Sequence, residues 1–174
     1  MQNMKFPEEI LKKHSLTPPD KQDNLLKKGE QKPMNKSPID DFKENLKGKS
    51  FIDDEVLTLN ERLAKHLAAG RADRRKEKDT ITQLNKFYNL VRLVAQKKQP
   101  NQIKVKLRLI KAQITFATGR GVISREIKEF MDISINHILK SDDPENPSKL
   151  ETSLKDFVTF FESVYAYFYY EYHK

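Results

Sequence analysis

The stretch PNQIKVKLRLIKAQITFATG, residues 100–119, decides the fold of this chain. Its apolar residues recur at steps of four and three, the spacing that places side chains on one face of an α-helix. A proline at the start and a glycine at the end are typical helix boundaries. The stretch therefore predicts one long amphipathic helix. Its predicted inward face consists of Ile103, Leu107, Ile110, Ile114 and Ala117.

The same helical period continues on both sides of this stretch. One helix is predicted to begin near Asp79 or Thr80, a further one at the N-cap Ser124, and the last at the N-cap Asn146 with Pro147 as its first residue. No stretch alternates apolar and polar residues convincingly, as a half-buried strand would. We therefore expect an all-α fold, a compact helical bundle of four to five helices joined by short loops.

The N-terminal part of the chain differs in composition from the rest. Residues 1–50 hold five of the eight prolines and no sustained helical period, so we expect a flexible N-terminal extension there. In residues 51–78 an apolar stripe followed by a run of charges predicts a helical arm and a charged connector. The core bundle is expected to span residues 79–174. The stripe of the arm consists of Ile52, Val56, Leu59, Leu63 and Leu67.

The composition excludes several classes of function. The 174 residues include no cysteine, which rules out disulfide scaffolds, thiolate zinc sites and cysteine nucleophiles. Only 5 glycines are present and none belongs to a glycine-rich phosphate loop, which disfavours nucleotide hydrolysis. Neither a signal-peptide pattern nor a run of about 20 apolar residues occurs, so we expect a cytoplasmic protein with no membrane partner.

Positive charge is concentrated in one part of the chain. The net charge is +8, but residues 80–125 alone carry ten Lys and Arg and no Asp or Glu. Residues 126–174 carry ten acidic and five basic side chains. Because solvated helical surfaces usually mix both signs, a long segment without a carboxylate points to a polyanionic partner such as a nucleic acid.

The candidate contacts are cations that the helical spacing predicts to share one surface. Lys104, Arg108 and Lys111 follow each other at steps of four and three, which aligns them beside the apolar face of their helix. A row of long cations suits backbone phosphates better than bases. The alternative is that these side chains only solvate the bundle. The full set of predicted contacts is Lys86, Arg92, Lys104, Arg108, Lys111, Arg120 and Arg125.

No pattern of residues predicts catalysis. The four histidines lie far apart in the sequence and form no metal-ligand pair, so we expect no enzyme activity, no cofactor and no metal. The aromatic segment from Phe157 to Tyr172 could stack on unpaired bases. Its helical spacing and acidic surroundings instead favour a place in the core or at a subunit contact.

Three stretches carry a resemblance to a known family. They are TITQLNKFYNLV (80–91), LIKAQITFATGR (109–120) and FVTFFESVYAYF (157–168). In order and spacing they resemble elements of the small helical backbone subunit of type III-A CRISPR effector complexes, the Csm complexes. Two positions depart from the family pattern: Asn85 stands where the family has arginine, and Gly121 where it often has an acid.

The resemblance implies a subunit without an active site that stacks in several copies along the guide RNA and the target RNA paired with it. The partners would be those RNAs, the other subunits of the effector complex and neighbouring copies of the same subunit. Lys86, Lys111 and Arg120 lie at positions that match the family's elements, and the resemblance implies RNA contacts for them.

Other functions remain open from the residues alone. The sequence GRGVISREI (119–127) loosely resembles the turn and recognition helix of a helix-turn-helix DNA-binding regulator. A protein-interaction scaffold could instead dock its partners through the aromatic C-terminal helix and use its charge for solubility alone. A helical ribonuclease is a further class, for which the sequence offers no site.

Overall fold

The computed structural model describes residues 36–69 and 77–174. These residues form seven helices and contain no strand, so the predicted all-α class is confirmed. Five of the helices are long, and two short ones precede them. In chain order the helices are α1 (Pro38–Asn45), α2 (Asp54–Leu57), α3 (Asn60–Ala69), α4 (Glu77–Ala95), α5 (Pro100–Gly119), α6 (Arg125–Lys140) and α7 (Ser148–His173).

The ends of α5 and α6 follow the predicted signals. After α5, Gly121 adopts a positive φ of 65°, a conformation that glycine enters without steric cost. The amides of Gly121 and Val122 donate to the carbonyls of Thr118 and Ala117 at 2.9 and 3.1 Å, which closes the helix as a Schellman motif. The hydroxyl of Ser124 then caps α6 by accepting from the amide of Ile127 at 3.2 Å.

The start of α7 differs slightly from the prediction. Pro147 occupies the N-cap position, and no side chain caps the helix. The amide oxygen of Asn146 instead accepts a hydrogen bond of 2.5 Å from the hydroxyl of Ser148. The proline ring still excludes a longer helix, because it fixes φ and has no amide to donate.

Helix α7 is the central element of the bundle. It packs against α3, α4 and α6, while α5 packs mainly against α4 and α6. Its phenylalanines are fully buried, whereas Tyr167, Tyr169 and Tyr170 remain exposed. The expectation that the aromatic segment fills the core is therefore confirmed for the phenylalanines. They are Phe157, Phe160, Phe161 and Phe168.

Helix α1 lies inside the stretch that was expected to be a flexible extension. Ser37 caps it by accepting from the amide of Asp40 at 3.1 Å. Phe42 is fully buried, with its ring 5.3 Å from that of Phe160 and 5.5 Å from that of Phe130. The structure therefore assigns residues 38–45 to the core. Residues 1–35 of the predicted extension lie outside the described residues.

The predicted helical arm is divided into two helices. Val56, Leu63 and Leu67 of the stripe are buried in α2 and α3, but Ile52, which was expected to face inward, is 46% exposed. Phe51 is buried in its place. Most of the predicted charged connector, residues 70–76, lies outside the described part of the chain. No described helix is both long enough and apolar enough to cross a membrane.

Candidate nucleic-acid interface

Two of the predicted contacts form ion pairs or hydrogen bonds with α6 and the loop after it. The ammonium group of Lys104 lies 2.8 Å from the carboxylate of Asp142. That of Lys111 donates to Asn136 at 3.0 Å and lies 3.8 Å from the carboxylate of Asp132. Both lysines therefore have acidic neighbours, which the carboxylate-free stretch of sequence did not indicate. The acids that meet them come from outside the carboxylate-free segment.

Arg108 and Arg125 differ from these lysines, because both are exposed and neither forms an ion pair with another described residue. Arg108 lies between Lys104 and Lys111 on the same flank of α5. Arg125 precedes Asp132 by seven residues, which is two helical turns, and thus shares the face of α6 that meets α5.

Sequence reasoning missed one cation of this surface. Lys128 lies one turn after Arg125 and pairs with Asp132 at i and i+4. Lys128 lies in residues 126–174, which carry more acidic than basic side chains, so the count of cations in residues 80–125 did not include it. The spacing of three from Arg125 was the signal that could have identified it. We call the resulting surface the α5/α6 edge; it consists of Lys104, Arg108, Lys111, Arg125 and Lys128 with the carboxylates of Asp132 and Asp142.

The predicted contact Arg92 lies on a different surface. Its guanidinium group is 5.5 Å from the ring centre of Tyr88. That ring stacks on Tyr165 at 5.7 Å and meets Phe161 edge-on at 5.5 Å, both on α7. Burial, and next the negative charge of Glu162, raise the pKa of Tyr88. Arg92 therefore belongs to the boundary between α4 and α7, whereas Lys104 and Lys111 lie between α5 and α6.

The two remaining predicted contacts lie on α4 and at the turn after α5. Lys86 is exposed, two residues after buried Leu84, and points away from the core of the bundle. Arg120 lies at the turn after α5, with its guanidinium group 5.7 Å from the ring centre of Phe116. The structure thus brings together four of the seven predicted residues. For Lys86, Arg92 and Arg120 the shared surface stays a prediction.

The outward side of α5 carries an apolar row that the sequence analysis did not identify. Val105, Leu109 and Phe116 are 53%, 50% and 67% exposed. They recur at steps of four and seven, so they form a second apolar face of the same helix. We call these three residues the α5 ridge. Large exposed apolar residues at helical spacing are typical of surfaces that contact another protein.

A groove lined by tyrosines and glutamates lies elsewhere on the bundle, between α3 and α7, and one of its glutamates, Glu61, is paired with Lys65 at 2.6 Å. The volume of the groove is about 610 Å³, and Glu61, Tyr167, Tyr170 and Glu171 line it. We call it the α3/α7 groove. Among the described residues, no group of three or more His, Asp or Glu side chains is placed to hold a metal ion.

The relative orientation of α5 and α6 can be compared with that of the two helices in a helix-turn-helix DNA-binding regulator, the alternative function considered for this chain. Lys104 meets Asp142 and Lys111 meets Asp132, so the two helices run side by side in opposite directions over most of their lengths. In a helix-turn-helix unit the helices diverge at about 90–120° after the turn. This geometry does not fit that alternative.

The chain is thus an all-α bundle with a cation-rich edge along two antiparallel helices. A family model described as Csm2 Type III-A matches residues 55–174, from within α2 to the end of the chain. Because the match spans well over half of the sequence, the chain belongs to the Csm2 Type III-A family and is a small subunit of a type III-A CRISPR complex. No curated protein and no solved structure shows a significant match.

Proposed function

We propose that this subunit has no catalytic role and binds RNA, stacking in several copies along the guide RNA and target RNA of the Csm complex by contacts to their phosphates. The observation that carries the proposal is the α5/α6 edge, where five cations lie along two antiparallel helices and their ion pairs among the described residues involve only the carboxylates of Asp132 and Asp142. Arg108 and Arg125 lack ionic partners in the described chain, and a planar guanidinium group can bind a phosphate through two hydrogen bonds.

The paired lysines remain available for RNA. The side chains of Lys104 and Lys111 are 25% and 36% exposed, and ion pairs this accessible to water contribute little to stability. A phosphate that approaches from solvent can therefore take over part of their hydrogen bonding. In the absence of RNA, Asp142 and Asp132 hold the ammonium groups of Lys104 and Lys111 beside Arg108.

The other predicted contacts would act on different surfaces. Lys86 and Arg120 match the family's elements and are exposed, so we propose them as secondary contacts at the margins of the RNA path. The guanidinium group of Arg92 lies over the ring of Tyr88, where α4 packs against α7, which makes Arg92 the weakest candidate for a phosphate.

Stacking of copies has a structural basis in two surfaces of opposite character. The α5 ridge is apolar and lies on a helix without acidic residues, whereas the α3/α7 groove combines tyrosines with two glutamates. A ridge on one copy that contacts a groove on the next makes a head-to-tail contact, which can repeat along a row of copies. Such a contact suits a row of subunits along a nucleic acid.

The expected affinity of one copy for RNA is low. If one subunit neutralises about four phosphates, raising the salt from 50 to 200 mM weakens its binding roughly a hundredfold. Neighbouring copies joined by protein contacts raise the effective concentration of each site, so a row of subunits binds far more tightly than one.

Co-purification tests this function. The tagged subunit, expressed with the other subunits of its complex, should capture them together with short RNA. The variant Arg108→Glu with Arg125→Glu should still capture the proteins but yield a complex of lower RNA content, while Lys155→Glu, an exposed cation on α7, should behave as wild type. Equal RNA content in all three complexes would contradict the proposal.

A further inference from the structure

A cavity of about 510 Å³ lies between the end of α1 and the second half of α6. Leu46 and Ile133 form its apolar part, and Lys43, Lys47 and Lys140 supply its charge. Neither the sequence analysis nor the family match pointed to it. Its volume falls within the range of small-molecule sites, about 300–1,000 Å³.

The charge of this cavity is entirely positive. None of its lining residues is acidic, and its three lysines form no ion pair with any other described residue. Cations near helix C-termini are favourable in themselves, and both α1 and α6 end here. The favourable interaction with helix C-termini does not explain why three lysines surround one cavity. Their ammonium groups repel each other there until an anion is bound.

The walls of the cavity are held in place by packing. His137 lies in the wall and is half-buried, with the ring of Phe51 edge-on at 5.1 Å. Burial first, and then the charge of Lys140, lower the pKa of His137, while a hydrogen bond with the backbone of Lys49 acts in the opposite direction. Gly48 closes the turn beyond α1 with a φ of 73°.

Asn136 connects this cavity with the α5/α6 edge. It lines the cavity, and its side-chain oxygen accepts the hydrogen bond of 3.0 Å from Lys111. The cations of α5 and those of the cavity therefore lie on opposite sides of one residue of α6.

We propose that the cavity between α1 and α6 is a second phosphate-binding site, with Lys43, Lys47 and Lys140 binding the phosphate and Leu46 and Ile133 contacting the attached sugar or base. The phosphate can belong to the RNA strand on the α5/α6 edge or to a free nucleotide. Assigning the phosphate to RNA rests on the function proposed above, whereas assigning it to a free nucleotide is independent of that function.

Titration of the full chain with AMP tests the site itself. The NMR signals of the His137 ring should shift and saturate, and the variant Lys43→Gln with Lys47→Gln should weaken AMP binding at least tenfold. Lys155→Gln with Lys65→Gln, two cations on other helices, provides a control of equal charge. Circular dichroism checks that every variant remains helical. A linear response without saturation, or equal binding by the cavity variant and the control, would overturn the proposal.

A short single-stranded RNA distinguishes the two sources. If the phosphate belongs to RNA, Lys43→Glu with Lys47→Glu should lower RNA affinity by about tenfold or more at 0.1 M salt. If AMP binding is lost but RNA binding is unchanged, the site takes free nucleotides and the RNA source is refuted. If Arg108→Glu abolishes RNA binding while the cavity variant binds both AMP and RNA normally, the second site is refuted and the function proposed above stands.

Discussion

The ammonium group of Lys104 lies 2.8 Å from the carboxylate of Asp142, an ion pair that joins α5 to the loop after α6. The side chains of both residues are less than one third exposed. The pair has two roles in our account, since it adds a weak link between α5 and the loop after α6 and positions a cation on the α5/α6 edge. Removing the carboxylate of Asp142 should weaken the link between α5 and this loop but free the ammonium group of Lys104 for RNA.

The variant Asp142→Asn should therefore bind RNA more tightly and be slightly less stable. Freeing Lys104 for one more phosphate should raise the affinity up to about tenfold at 0.1 M salt. Loss of the partly exposed pair should lower the free energy of unfolding by up to about 1 kcal/mol. Asp54→Asn, at an exposed position of α2, is a control with the same change of charge. Unchanged or weaker RNA binding by Asp142→Asn would show that Lys104 is not a contact.

Helix α1 should contribute substantially to stability although it lies outside the family match. Phe42 is fully buried between Phe130 and Phe160, so Phe42→Ala should lower the free energy of unfolding in urea by about 3–5 kcal/mol. Ile52→Ala removes an exposed side chain, and its effect should stay below about 1 kcal/mol. Equal effects of the two substitutions would contradict the position of α1 in the core.

Stability should depend on pH through His137. Burial and Lys140 lower the pKa of its ring in the folded chain, and Lys43 and Lys47 add positive charge from the segment that packs against it. The unfolded chain then takes up a proton on this ring more readily, at a pKa of about 6.5. The contribution of His137 to the free energy of unfolding is therefore fully present above the pKa of the unfolded chain. It is lost progressively as the pH falls toward the lower pKa of the folded chain.

The variant His137→Gln isolates this contribution, because glutamine keeps a hydrogen-bond donor and does not titrate. Between pH 7 and pH 5 the melting temperature of the wild type should fall more steeply than that of the variant. Above pH 7 the difference between the two proteins should be constant. Parallel curves over the whole range would show that the buried ring does not determine this pH dependence.

The α5 ridge should be needed for stacking and not for folding. Leu109→Glu with Phe116→Glu places two charges on residues that are half exposed or more, so the melting temperature of the monomer should change little. Assembly on RNA that is long enough for several copies, followed by light scattering, should be lost. Ile52→Glu is the matched control, because Ile52 is a similarly exposed apolar residue on another part of the bundle. Normal assembly by the ridge variant would contradict the head-to-tail contact.

The long helices were predictable because their signals are local. Pro100, Ser124 and Gly121 mark helix ends within a few residues, and the apolar period between them needs no knowledge of the rest of the chain. Helix α1 was not predictable in this way, because eight residues are too short to be helical alone and its stability depends on rings more than 80 positions away.

The composition of the candidate site was only partly predictable for the same reason. Counting charges along the sequence singled out Arg108 as a cation without a local acid, whereas Arg125 ends the carboxylate-free segment and is followed directly by Glu126. The count could not show that Lys104 meets an acid 38 positions later, or that Lys128 shares the edge. Helical spacing places residues on a face of one helix, whereas the side of the bundle on which that face lies depends on tertiary packing.

The salt dependence of RNA affinity tests most directly the claim that the α5/α6 edge binds phosphates. For the wild-type chain and short duplex RNA, the logarithm of the affinity should fall linearly with the logarithm of the salt concentration. For Arg108→Glu with Arg125→Glu the slope should be smaller by about two and the affinity should fall by at least tenfold at low salt, while Lys155→Glu should leave both unchanged. The same slope and affinity in the double variant and the wild type would contradict the account.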